Sequence, residues 1–183
     1  MNEVNDTSKG SLLKRPTVLS CLALTVVVIA LDQWSKYLIV EHFVYAQSQE
    51  VLSIFNLVRV HNTGVAFSFL ASDGGWQRWF FTTLGVGASA LMYRLIYLNK
   101  DQPLFCWALA LISGGAIGNV IDRLNLGYVV DFLDFHWLNW HFAAFNLADS
   151  AITLGAALLI VYEFLRSREL AKSTKEADQV HSP

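Results

Sequence analysis

Gly114-Gly-Ala-Ile-Gly-Asn-Val-Ile-Asp-Arg123, Gly127-Tyr-Val-Val-Asp131-Phe-Leu-Asp134-Phe135 and Phe145-Asn-Leu-Ala-Asp149-Ser150 form one nearly continuous stretch of this chain. They set Asp122, Arg123, Asp131, Asp134 and Asp149 among long apolar runs. A charge near hydrocarbon costs roughly 2.5 to 3.5 kcal/mol even on lenient insertion scales, so such a set reads as a functional site by default. The bland alternative, charges at loop and helix ends reaching for headgroups, fits any single aspartate better than it fits the whole set.

Working outward, the 183 residues are 54% apolar and 15% charged, which suits one compact membrane unit rather than a soluble domain. The net charge of −2 says little about partners, and no nucleic-acid footprint is visible. Cys21 and Cys106 lie in separate apolar runs with no paired or metal-ligand spacing, so neither a disulfide framework nor a zinc site is indicated. No metal and no cofactor are expected.

Four apolar runs are long enough to cross a core of about 30 Å, which takes around 20 residues each. They begin at Thr17 and cover approximately Trp76–Leu98, Pro103–Ile121 and Phe142–Phe164. Residues 1–16 read as a disordered cytoplasmic tail, 17–166 as the membrane unit and 167–183 as a polar cytoplasmic tail that is helical at first and frayed at its end. Asp32 and Lys36 follow the first run where a cleavage site would stand, so that span reads as uncleaved. Two segments look like strand and turn: Val51–Val60, leading into Asn62-Thr-Gly64, and Tyr128–Phe135. They predict a small β platform outside the membrane, at about 44–70 and 127–136.

Basic residues are retained in the cytoplasm. Placing both tails and the 99–103 turn there puts Lys9, Lys14, Arg15, Arg94, Lys100, Arg166, Arg168, Lys172 and Lys175 inside, and only Lys36, Arg59, Arg78 and Arg123 outside. Asp32, Asn62, Asn119, Asp122, Asp131 and Asp149 then all fall at one membrane face.

On the fourth span, Asn146, Asp149 and Thr153 share one helical stripe, and a start at Phe142 puts Asp149 about two turns inside. The alternative is an aspartate favoured by the dipole at a helix N-terminus. Strand alternation separates Asp131 from Asp134, so one of them faces Asp149, and Asp131 is the better choice. Two carboxyls in a low-dielectric pocket share one proton, which is the arrangement for water-mediated amide hydrolysis without a covalent intermediate. Asp32 and Lys36 favour an i, i+4 ion pair that holds a helix end or serves the site. Arg123 binds a lipid phosphate, a backbone carbonyl or Asp122. Gly114, Gly115 and Gly118 also read as close helix packing, and Asn62 with Gly64 either orients substrate or closes a loop. A small transporter or proton pathway, or a non-catalytic scaffold, is the rival class, although a transporter calls for acids along a path through the membrane.

Four ordered motifs, Asp32-Gln-x-Ser-Lys36, Asn62-Thr-Gly-Val-Ala-Phe-Ser68, Gly114-Gly-Ala-x-Gly-Asn-x-x-Asp-Arg123 with Gly127-x-Val-Val-Asp131-Phe, and Phe145-Asn-x-Ala-Asp149-Ser150, together resemble the bacterial lipoprotein signal peptidases, also called signal peptidase II. The similarity covers approximately Pro16–Arg166. It implies an all-α membrane protein of four transmembrane helices in the inner membrane, with a small extracytoplasmic β-cradle, a short amphipathic segment and both termini cytoplasmic. It implies an aspartyl endopeptidase with Asp131 and Asp149 as the catalytic pair near the outer face. Asp32, Lys36, Asn62, Gly64, Asn119, Asp122, Arg123 and Asn146 become supporting or substrate-binding residues. The implied substrate is a prolipoprotein whose cysteine carries diacylglyceryl, cut on that cysteine's amino side. Membrane lipids and a globomycin-type inhibitor are the other implied ligands, and the chain is expected to act as a monomer.

Overall fold

The computed structural model describes residues 18–64 and 75–180. The tail at 1–16 and the 65–70 part of the predicted platform lie outside the described residues. The order is α1 (Val18–His42), β1 (Ser48–Leu52), β2 (Phe55–Asn62), α2 (Trp76–Leu98), α3 (Pro103–Leu126), β3 (Val129–Trp137), β4 (Trp140–His141) and α4 (Leu147–Val180). All four helices are long and apolar enough to cross a membrane.

α3 is the central post, with α1, α2 and α4 all packed on it. Of its apolar window 56% is buried, against 22%, 17% and 11% for α1, α2 and α4, whose outward side chains form an apolar belt. Small residues permit this centrality. A Cβ on Gly115 would sit 2.2 Å from the Ala148 carbonyl oxygen on α4, and one on Gly118 would sit 2.6 Å from Asp32 Oδ2 on α1. The packing reading of these glycines therefore holds, and Gly118 also makes room for a carboxylate. Gly115→Ala is expected to push α4 away from α3 and to cost about 1 to 3 kcal/mol through overpacking. A thermal melt in detergent unchanged from wild type would contradict this.

Three helix ends differ from expectation. α3 continues to Leu126, past the predicted Ile121, because its charged Asp122 is neutralised from α1, and it stops where Gly127 takes φ 87° and donates its N–H to Arg123 O. α4 starts at Leu147 rather than Phe142, because residues 142–145 pair with β3: Phe142 N–H donates to Phe135 O, and Phe145 bridges Leu133. At its other end α4 stays helical through Val180, where a frayed tail was expected. At 1.5 Å per residue it outruns a hydrocarbon core by roughly 20 Å.

The four strands form an antiparallel sheet in the order β1-β2-β3-β4. Val51–Val60 has the expected strand-and-turn character, as part of a hairpin turning at 53–54. The register pairs Val60 with Asp131 and Asn56 with Asp134. Ile39 at the end of α1 packs with Val130 and Phe132, which seats the sheet on the helix ends.

Candidate active site

The site grows from α1. Asp32 and Lys36 stand one turn apart and form the expected ion pair, Nζ to Oδ2 at 2.9 Å. Lys36 Nζ also lies 2.9 Å from Asp122 Oδ2 and 3.0 Å from Asn119 Oδ1, so its three protons have three acceptors. All of this is buried. Asp32 reaches further: its Oδ1 accepts the Ala148 N–H at 2.9 Å. That N–H belongs to the first turn of α4, so a carboxylate on one helix caps the N-terminus of another. Asp122 Oδ2 accepts the Val130 N–H at 3.1 Å and thereby fixes the start of β3 beside Asp131.

α4 opens on a reciprocal capping box. Asn146 Oδ1 accepts the Asp149 N–H at 3.0 Å, and Asp149 Oδ2 accepts the Asn146 N–H at 3.2 Å. Asp149 is thus in the first helical turn, not two turns inside the span. Its position at a helix N-terminus and its place in the site are compatible.

Two amides bind the constellation together. Asn146 Nδ2 donates to Asp131 Oδ1 at 2.7 Å and lies 3.2 Å from Asn119 Oδ1; Asn119 Nδ2 donates to Asp149 Oδ1 at 2.8 Å. The Lys36 ammonium on Asn119 Oδ1 decides which end of that amide faces Asp149. Asn62 closes the loop, one of the two readings open for it, with its Oδ1 accepting the Gly64 N–H at 2.8 Å, and its Nδ2 donates to Asp131 Oδ2 at 3.0 Å. Gly64 takes φ 87°, and a Cβ there would lie 2.6 Å from the Phe81 ring.

Asp131 is 2% exposed whereas Asp149 is half-buried. Burial, aided by the nearby Asp149 charge and opposed by the Asn62 and Asn146 hydrogen bonds and by Lys36, pushes the Asp131 carboxyl up to about 6. Asp134 is on the other side of the strand. Burial acts to raise it too, but hydrogen bonds from His141 and Asn56 outweigh that and hold it below the usual carboxylate range. Arg123 donates to the Asn119 carbonyl at 3.3 Å and lies over the Phe81 ring at 5.2 Å. Of its two predicted partners within the protein the carbonyl is the one it contacts, since Asp122 is held by Lys36.

Sequence reasoning missed Gln33, whose Nε2 donates to Asp122 Oδ1 at 2.8 Å and lies 3.2 Å from both Asp32 Oδ2 and Gly118 O. Its adjacency to Asp32 was legible, but a helix neighbour points away by default.

A family model described as signal peptidase (SPase) II matches residues 24–165. A lipoprotein signal peptidase of Cupriavidus necator is 55% identical over 152 residues, covering 83% of this chain and 87% of that protein. One from Paraburkholderia phymatum is 57% identical over 147 residues, 80% of this chain and 89% of its own length. Among solved structures, a bacterial membrane enzyme determined by the in meso method at 2.3 Å resolution superposes with a TM-score of 0.72 at 27% identity, covering 86% of this chain and 94% of that one. The match takes in all four helices and the sheet that brings Asp131 to Asp149, and on that ground the chain belongs to the signal peptidase II family of multi-pass membrane proteases.

Proposed function

We propose that this protease removes the signal peptide from prolipoproteins whose cysteine already carries diacylglyceryl, cutting on the amino side of that cysteine, with Asp131 and Asp149 as the catalytic pair. One observation carries the reading: two carboxyls from different elements, one buried and one half open, are held together through the same two amides, Asn119 and Asn146. The ionised member of the pair takes a proton from water as the water oxygen attacks the scissile carbonyl, and the protonated member hydrogen-bonds the carbonyl oxygen as charge builds on it. Collapse of the tetrahedral species breaks the C–N bond, and the proton taken from water passes to the leaving amine. Asp32, Lys36, Asp122 and Asn62 hold the pair in place, and Arg123 lies where it can bind a polar substrate group.

A substrate whose acyl chains and signal helix are already in the bilayer approaches laterally, so binding and orientation need no deep aqueous cleft. In this reading residues 17–166 are the peptidase unit, 1–16 and 167–183 are cytoplasmic tails, and the monomeric enzyme works at the outer face of the inner membrane among its lipids. Purified protein should cleave a diacylated precursor, leave the unlipidated form uncut and lose activity to globomycin. Equal turnover of both precursors, read by gel mobility and mass, contradicts the lipid requirement.

A further inference from the structure

β3 and β4 meet in a hairpin in which Trp137 pairs with Trp140 and only Leu138 and Asn139 make the turn. Its side chains do not look inward. Trp137, Leu138, Trp140 and Phe142 are 69%, 82%, 67% and 54% exposed, and none belongs to the four spans. Leu138 takes φ 55° at a turn position where glycine costs nothing and a leucine carries backbone strain. Being 82% exposed, it recovers little of that by packing within the chain. At the root of the hairpin Ile54, Phe135, His136, Trp137, Trp140 and Phe142 line a hollow of about 310 Å³. His136 has both ring nitrogens buried without a hydrogen-bond partner among the described residues.

We infer that this hairpin is a lipid anchor, its tip seated among the headgroups and upper acyl chains of the leaflet on the sheet's side of the bundle. The occupant follows from composition and reach. Tryptophans with apolar neighbours, interrupted by Asn139, His136 and His141, are what the membrane–water interface selects, one end of each ring wet and the other oily. Phe142 stands five residues before the start of membrane-crossing α4, a span of at most about 18 Å, so the hairpin root cannot stand far from the membrane boundary. His136 then has a polar lipid atom or interfacial water within the hollow as its partner.

The anchor also acts on the site, a consequence that rests on the peptidase reading. β3 carries Asp131 near its start and Trp137 at its end, roughly 20 Å away along one hydrogen-bonded strand. The depth of the tip therefore sets the height of Asp131 above the leaflet in which a lipidated substrate sits.

The test uses the full chain in phosphatidylethanolamine/phosphatidylglycerol vesicles with a nitroxide on Leu138→Cys; Cys21 and Cys106 are both 0% exposed and compete little for the reagent. Power-saturation spectroscopy should find oxygen collisions several-fold more frequent than those of a water-soluble nickel complex at 138. The order should reverse at Lys175→Cys on the exposed end of α4. A label at 138 as open to nickel as that at 175 overturns the anchor. So does dipolar broadening between labels on two copies, which assigns the tip to a dimer. Neither result depends on cleavage. With activity as readout, Trp137→Ser with Trp140→Ser should raise KM for vesicle-embedded precursor about tenfold and leave kcat unchanged, as loss of about 1.4 kcal/mol of positioning requires. An unchanged KM removes the link to Asp131.

Discussion

Asp131→Asn and Asp149→Asn should each abolish cleavage, lowering the rate by at least about 10³-fold, while the protein is expected still to fold and to bind diacylated precursor. The size follows from what the change removes. A carboxyl that moves a proton in the transition state contributes about 10² to 10⁴-fold, and the two act as a unit, so either loss costs nearly as much as both. Stability should barely change. Asp131 receives hydrogen bonds from two amide NH₂ groups, Asn62 and Asn146; its Asn replacement keeps one of them through Oδ1 and no longer has to hold a charge in a buried place. Asp134→Asn is the control: it loosens the His141 and Asn56 contacts on the far side of the strand and should keep most of the activity. Normal turnover by either Asp131→Asn or Asp149→Asn refutes the pair, and complete loss in Asp134→Asn would mean the wrong side of β3 has been chosen.

The same residue gives the fold a pH dependence with a definite sign. The carboxyl of Asp131 is raised to about 6 in the folded chain, above its ordinary value, so the folded state binds the proton more tightly than the unfolded one. The stability this contributes is full below the ordinary carboxylate range and is lost as pH rises through about 6. Melts of the wild type should fall over that window, and Asp131→Asn should lack that part of the slope.

How much of this was legible in advance depended on the kind of information each feature needs. Spans show in hydropathy, and α2 has the predicted limits because a polar turn bounds it at Leu98. Phe142-Ala-Ala-Phe145 is apolar enough to open a helix or close a strand, and only its pairing with β3 decides, which put the start of α4 five residues too early. Asp122 looked like the end of α3 because a lone carboxylate ends a span; its partner Lys36, 86 positions earlier, lets the helix run on. The separation of Asp131 from Asp134 needed only the two-residue period of a strand, and the sheet keeps it. What no local pattern could give was helix-to-helix register. The third acceptor on Lys36, the bond from Asp32 to Ala148 and the role of Gln33 all depend on how far α1 slides along α3 and α4.

That register makes Lys36→Met the second severe substitution. The ammonium stands between Asp32 and Asp122, which are 0% and 4% exposed, and a methionine of similar length fills the space without the charge. Two buried carboxylates then face each other uncompensated. Removing one partner of a buried ionic set costs about 3 to 5 kcal/mol, a large part of the stability of any domain this size. Asn119 loses the cation that turns its carbonyl toward α1, so its NH₂ is no longer held on Asp149, and activity falls further than the melting temperature alone would account for. Combining Lys36→Met with Asp32→Asn and Asp122→Asn separates the two effects. A neutral set in place of the charged one should recover most of the lost stability, since replacing a whole buried ionic cluster is often close to neutral. Cleavage should stay low, because Asn119 is still unoriented. Thermal unfolding in detergent reads the first effect and turnover of diacylated precursor the second. A Lys36→Met protein that melts like wild type would mean the cluster does not hold α1 to α3, and full activity in the neutral triple variant would mean the amide needs no cation to face Asp149.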